Sequence, residues 1–233
     1  MGAGRSHGVI LAAASRKGSG TALVDRMRAA AAQVGVAVDE DTLSRLQRFL
    51  ELLAVWNRRI HLTGERDVDV LASKHVVDSL LPVGRLPPTG LVVDVGSGAG
   101  FPGLVLACAR PDLDIVLVES RRRPASFLTE AARTVPLPRA RVAATRAEQL
   151  KDDPAVAGRA TVVISRALRL DVFLALAAPL LAGDGVAISM QTPRLDTSTA
   201  AGMGAEHGLV PAGLQDYRLQ DGASRRLVVF RRR

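Results

Sequence analysis

Gly96, Gly98 and Gly100 recur at alternate positions between an apolar run that ends in Asp94-Val95 and a second apolar stretch. A turn of this kind passes its backbone close to a ligand, and glycine permits both the tight bend and the contact. Asp94, at the end of the first run, is expected to face the crevice that the turn opens. Glu119 closes the next apolar run about 20 residues on, where a carboxylate can accept hydrogen bonds from both hydroxyls of a ribose. The spacing is G-x-G-x-G, and Phe101 stands where a dinucleotide-binding turn has its third glycine. A P-loop is excluded, because no Gly-Lys-Ser/Thr follows the turn.

These residues fit an adenosine that carries no pyrophosphate. S-adenosylmethionine answers that description, with its amino-acid end on the glycine turn, its ribose on Glu119 and its adenine on the next loop, near Ala147-Glu148. The rival class is a nicotinamide-dependent oxidoreductase. It shares the acid at Glu119, but the sequence offers no Tyr-x-x-x-Lys pair, and its only tyrosine is Tyr217.

For a methyl donor, some acceptors can be argued against. Methylation of an exocyclic amine usually uses an Asn/Asp-Pro-Pro-Tyr-like turn after the fourth strand, where this chain reads Ile164-Ser165-Arg166-Ala167. Methylation at pyrimidine C5 needs a cysteine nucleophile. Cys108, the single cysteine, lies in a helix-like apolar run and reads as a small core residue. What remain are acceptors that are already nucleophilic or need only positioning, so no general base is expected. Arg166 adds positive charge beside the pocket.

Elements that could position these groups follow from apolar periodicity. Strands are expected at Leu91–Val95, Ile115–Glu119, Val142–Thr145, Thr161–Ser165 and Gly185–Met190, with a last one at Arg226–Arg231 paired near Leu209–Tyr217. Helices alternate with them at Pro102–Arg110, Pro124–Thr134, Ala147–Leu150 and Asp171–Leu181. Such alternation predicts an α/β fold with a mostly parallel sheet and helices on both faces. Upstream, helices are expected over 22–34, from Asp39 through Trp56, and over Val68–Leu81. Pro82, Pro87, Pro88 and Gly90 mark the boundary. The division is therefore a weakly ordered extension (1–20), a helical region (21–88) and a cofactor-binding domain (89–233).

The net charge of +8, with 31 basic and 23 acidic residues, favours a polyanionic partner. Arginine dominates the excess, and its planar fork suits phosphate. No apolar run approaches the roughly 20 residues that span a bilayer, and the chain is expected to be cytoplasmic. Four scattered histidines and one cysteine give no metal constellation.

Five ordered blocks carry a resemblance. Trp56-Asn57-Arg58-Arg59-Ile60-His61-Leu62-Thr63, His75-Val76-Val77-Asp78-Ser79, Asp94 to Gly103, Arg146-Ala147-Glu148 and Ser165-Arg166-Ala167 resemble the bacterial 16S ribosomal RNA guanine-N7 methyltransferase family, RsmG or GidB. The likeness runs from about Val24 to the tail, where Arg225-Arg226-Leu227-Val228-Val229-Phe230 resembles the family's last strand. It implies a class I (Rossmann-like) methyltransferase fold with an N-terminal helical cap. It also implies S-adenosylmethionine as cofactor and a guanine of the small ribosomal subunit as substrate, and it places cofactor contacts at Gly96, Phe101, Ala147, Glu148 and Arg166. Three departures stand out: His61 where Asn is usual, Arg123-Pro124 for Lys-Arg, and Met190-Gln191-Thr192 for Leu-Lys-Gly. They keep open a paralogue that binds cofactor or RNA without efficient catalysis.

Candidate RNA contacts are Arg58, His75 and the run Arg121, Arg122 and Arg123. The run borders the cofactor rim, although such runs are often only a solvated face. His75 and Asp78, three apart on a helix, share a face and read first as a tie between helical region and sheet. Trp56 reads as core. The protein is expected to act as a monomer.

Overall fold

The computed structural model describes residues 17–193 and 196–233. Most of the expected N-terminal extension lies outside the described residues. Its last four positions are already helical, because α1 spans Lys17–Gln33 and so starts five residues earlier than expected. Helix α2, Glu40–Ile60, is set by its sequence at both ends. Asp39 caps it by accepting the Thr42 N–H at 2.7 Å. Its buried stripe, Leu43, Leu46, Phe49, Leu50 and Leu53, follows the three- and four-residue steps of a helix. At the far end His61 takes a left-handed φ of 50°. Asparagine tolerates that conformation well, so the unusual histidine here stands at a helix terminus and is exposed.

Asn57 fixes the turn that follows. Its Nδ2 donates to the Glu65 carbonyl at 2.8 Å and its Oδ1 accepts the Thr63 N–H at 2.9 Å. The chain then continues as α3 (Val68–Val70), a π-helical stretch (Leu71–Val76), α4 (Val77–Leu80) and a 3-10 turn (Leu81–Arg85). A regular helix was expected over 68–81. The π stretch within it carries Lys74 and His75.

Seven strands form one sheet in the order β3-β2-β1-β4-β5-β7-β6. They are β1 (Leu91–Val95), β2 (Asp114–Val118), β3 (Ala140–Ala143), β4 (Ala160–Ser165), β5 (Leu181–Gln191), β6 (Leu209–Arg218) and β7 (Ser224–Arg232). The first five run parallel. The β6–β7 hairpin closes the edge antiparallel, as the tail pattern predicts. Glu119 falls one residue beyond β2. Helices α5 (Gly103–Ala109) and α6 (Arg122–Thr134) pack with α1 and α2 on one face. On the other lie α7 (Leu170–Ala177) and α8 (Thr197–Ala205), a helix the sequence pattern missed. Its residues, TSTAAGMGA, have no apolar stripe to detect.

Two cores result, one on each side. Alternate residues of β1 supply both, Val92 to one and Val93 and Val95 to the other. Trp56 packs edge-on to Phe127 at 5.7 Å, and Cys108 is fully buried. The sheet order reverses beside β1, since β2 and β3 lie on one side and β4 on the other. That switch point is where a parallel sheet opens its crevice.

Asn57→Ala removes both partners of the loop at residues 61–67, leaving a part-buried carbonyl and N–H unpaired. Urea unfolding is expected to show a loss of about 1–3 kcal/mol, whereas a midpoint equal to wild type would show that the loop holds without the clamp.

Candidate active site

The glycine turn lies at the carboxyl end of β1, held from beneath. Gly96 and Ser97 donate their N–H groups to the Val118 carbonyl at 3.0 Å, which ties the turn to β2. Gly98 has φ +54° and Gly100 has φ +92°. At Gly98 an added Cβ would make only ordinary contacts, at 3.8 Å or more, with Arg121, Gly96 and Glu119, so there the positive φ and not crowding calls for glycine. At Gly100 the same atom would come within 2.6 Å of Leu104, which is a packing constraint.

Asp94 does not face the crevice as expected. It is fully buried, and its Oδ2 accepts the Gly103 N–H at 3.0 Å beneath the turn. Even-numbered residues of β1 point to the α5 face, and that puts Asp94 under the helix start. Its Oδ1 has no hydrogen-bond partner, a rare state for a buried carboxylate oxygen. Burial pushes its pKa up to about 6, against the pull of Ser97, Gly103 and Arg166.

Glu119 is nearly buried, and its carboxylate is already engaged. Oε2 accepts the Gly98 N–H at 3.1 Å, and both oxygens take the Arg121 fork at 3.0 and 3.1 Å. Burial raises the Glu119 pKa, but the hydrogen bonds from Arg121 and Gly98 outweigh it and hold the carboxyl below its ordinary value. Arg121 is therefore a partner of Glu119, which corrects its place in a free phosphate-binding run. Arg122 and Arg123 are exposed at the start of α6. Pro124 falls in the first turn of α6, where an N–H is dispensable.

Two cavities flank the turn. The smaller, about 200 Å³, is lined by Gly96, Glu119, Ala147, Glu148, Leu168 and Val172. The larger, about 570 Å³, is lined by Lys74, His75, Asp78, Arg166, Arg169 and Arg225, with Leu168 and Gln191. Leu168 borders both. Gln191 fixes it from β5, donating Nε2 to the Leu168 carbonyl at 3.1 Å and to Ser189 Oγ at 2.7 Å. Leu168, Val172, Lys74, Gln191 and Arg225 were not singled out from sequence as site residues. Among them only Gln191 stood out in the sequence, within the Met190-Gln191-Thr192 departure; the exposure of apolar Val172, 44%, is seen only in the fold.

Phe101 is buried between the cavities and the helical core. Its ring lies 5.4 Å from Phe49 and 5.5 Å from His75, and the Arg166 guanidinium sits 5.0 Å above it. Burial and the nearby Arg166 charge lower the His75 pKa to about 4, so it is neutral at physiological pH. Asp78 is buried and accepts from Tyr217 and Arg166, in keeping with its reading as a tie. Arg58 is exposed in the last turn of α2 and lines neither cavity.

A family described as rRNA small subunit methyltransferase G matches residues 42–202. The chain belongs to this family. A ribosomal RNA small subunit methyltransferase G from Halorhodospira halophila is 40% identical over 166 residues, covering 71% of this chain and 77% of the relative. Another, from Anaeromyxobacter dehalogenans, is 37% identical over 189 residues, covering 80% and 86%. The solved structure of M. jannaschii TYW2 in complex with AdoMet superposes with a TM-score of 0.54 at 15% identity, covering 68% of this chain and 76% of that one. At that identity the likeness speaks for the fold alone, a class I methyltransferase sheet carrying the helical cap of the methyltransferase G family. No helix among the described residues is long and apolar enough to cross a membrane.

The buried carboxyl gives the stability of this enzyme a pH signature. Asp94 binds its proton more tightly folded than unfolded, so its contribution is full below about pH 4 and is lost as pH rises through about 6. Asp94→Asn keeps an acceptor for Gly103 without the charge. At pH 8 the variant is expected to be more stable than wild type by up to about 2 kcal/mol, the gap closing below pH 4. A gap that stays constant with pH, measured by denaturant unfolding, would assign Asp94 an ordinary pKa.

Proposed function

We propose that this enzyme methylates N7 of a guanine in 16S ribosomal RNA, with S-adenosylmethionine as donor. One observation carries the reading. A small cavity lined by Glu119 and Ala147 adjoins a larger cationic one across a single shared residue, Leu168. The first suits a nucleoside cofactor and the second a nucleotide of a polyanion.

The chain's own groups fit that cofactor. Gly98 offers a face that a side chain would fill, Glu119 a carboxylate within reach of a ribose, and Ala147-Glu148 a wall for a base. For Glu119 to take a ribose, Arg121 must release part of its hold, and being 68% exposed it is free to swing outward. Asp94 acts from below by fixing the turn, and its unpaired Oδ1 favours a cationic or donor group on the side above. Leu168 separates the two cavities, and Arg166, a cofactor contact in this reading, lines the larger one over the buried Phe101 ring. Arg122, Arg123, Lys74 and Arg169 supply the positive field that an RNA backbone needs. The helical region through residue 88 serves as a cap that contributes Lys74 and His75 to the acceptor side. One chain lines both cavities, so a monomer suffices, acting in the cytoplasm where the small subunit is built.

S-adenosylmethionine, when bound, supplies a methyl group already activated on a positively charged sulfur. Guanine N7 carries an in-plane lone pair and no proton at neutral pH, so no residue has to remove one. His75, neutral and packed on Phe101, is suited to shaping the cleft and not to proton transfer. The work left to the chain is alignment, an effect that can be worth about 7–11 kcal/mol. The departures His61, Pro124 and Gln191 fall at a helix end, a first turn and a loop anchor, and none removes a group this chemistry needs.

Purified protein is expected to methylate 16S RNA or small subunits from cells lacking this modification, giving strand cleavage at one guanine after borohydride and aniline. Single-turnover rates are expected to be flat from about pH 6.5 to 8.5, because His75 titrates well below that range and Asp94 at its lower edge. A rate that rises tenfold per pH unit and is lost with one side chain would mean that a proton is taken, and the acceptor would then be an amine or hydroxyl.

A further inference from the structure

Asp78 is the point where the two ends of the chain meet. It comes from α4 in the helical cap, and its side chain is only 6% exposed. Tyr217 Oη, from β6, donates to its Oδ1 at 2.6 Å. Arg166, from the end of β4, reaches its Oδ2 with one nitrogen at 3.4 Å, and Arg225 Nε lies 4.0 Å from the same oxygen. Tyr217 and Arg225 are directly paired across the β6–β7 hairpin, so they approach Asp78 from one side.

The contact with Arg166 is unusual for its partners. A guanidinium and a buried carboxylate favour a two-pronged pair with N···O distances of about 2.7–2.9 Å. Here there is one long contact. The tyrosine hydroxyl holds the other oxygen, and Arg225 stands beside the oxygen that Arg166 reaches. The guanidinium lies over the Phe101 ring, and Arg166 lines the larger cavity. Burial and the Asp78 charge raise the Tyr217 pKa, so the hydroxyl stays protonated and remains a donor.

We propose that Tyr217 is a positioning residue, which by occupying one oxygen of Asp78 denies Arg166 a two-pronged pair and keeps its fork turned toward the cofactor and substrate. The proposal rests on the cofactor contact that the family resemblance assigns to Arg166, whose charge reaches Asp94 beneath the glycine turn. In this arrangement the C-terminal hairpin sets the aim of an arginine that belongs to the central sheet, and Asp78 alone, without the hydroxyl, draws the fork away from the cleft.

The test is a double-mutant cycle read on S-adenosylmethionine affinity by calorimetry. Tyr217→Phe is expected to weaken binding by about tenfold, and in an Arg166→Ala background the same change is expected to cost less than about twofold, as coupled residues require. Asp78→Asn keeps the acceptor for the hydroxyl but loses the charge that anchors Arg166. It is expected to weaken binding severalfold, and it covers the case in which Tyr217→Phe does not fold. An equal loss in both backgrounds would make Tyr217 a structural residue and overturn the proposal. So would unchanged affinity in Tyr217→Phe, in Asp78→Asn or in Arg166→Ala alone. Wild-type protein that binds the cofactor but transfers no methyl to 16S RNA would refute the acceptor and leave this cycle intact, because its readout is cofactor affinity.

Discussion

Gly103 has no room for a side chain. A Cβ there would lie 2.3 Å from the Leu117 side chain and 2.5 Å from the Asp94 carboxylate, so side chains of β1 and β2 press directly on the backbone at the start of α5. The Gly103 N–H is spent on Asp94, which both satisfies a free donor of the helix start and places negative charge where the helix dipole favours it. The turn at residues 96–102 is pinned at both ends as a result, to Val118 at one and to Asp94 at the other. Between these ends Gly98 stands at positive φ, with the Glu119 carboxylate on its N–H. A fully buried carboxyl with an elevated pKa is a cost the fold carries to hold that shape, the kind of local strain that collects at functional sites.

Around this fixed turn the charges are divided. Glu119 lines the smaller cavity and is paired with Arg121, while the larger one is lined by Lys74, Arg166, Arg169 and Arg225, with Asp78 buried among them and Asp221 and Asp171 paired to Lys74 and Arg169. The pairing explains how a chain of net charge +8 keeps a compact site. Cations close to the reacting groups are matched and aimed, and those farther out, such as Arg122 and Arg123, are exposed to act through space. Cap and hairpin are bound to the sheet through the same carboxylate, so cofactor side and acceptor side share one mechanical link.

The strand–helix alternation, the reversal of sheet order and the glycine turn were legible because they rest on local periodicity and on residue types with few other uses. Helix α8 was not, since an Ala- and Gly-rich segment has no stripe to read. The reach of α1 back to Lys17 and the π stretch at Leu71–Val76 likewise leave no mark in apolar periodicity. Within the site, Glu119 and the Ala147-Glu148 loop could be placed from spacing. Asp94 was found but misdirected, because the parity of β1 turns it under α5. Arg121 looked like one of three equivalent arginines, and only the fold shows that it alone pairs with Glu119. Tyr217 and Arg225 lie 139 and 147 positions beyond Asp78, and no pattern in one sequence ties such distant residues together.

The glycine turn beside Glu119 is the feature on which the proposed cofactor site stands or falls. Calorimetry of S-adenosylmethionine against wild type and Gly98→Val tests it directly, with unfolding curves run in parallel. Wild-type protein should bind. The valine variant should not, because its methyls crowd the Glu119 side of the turn and resist the +54° φ, while its two cores on the sheet remain folded. Equal binding by the two proteins, or wild-type binding of NADH in place of S-adenosylmethionine, would contradict it.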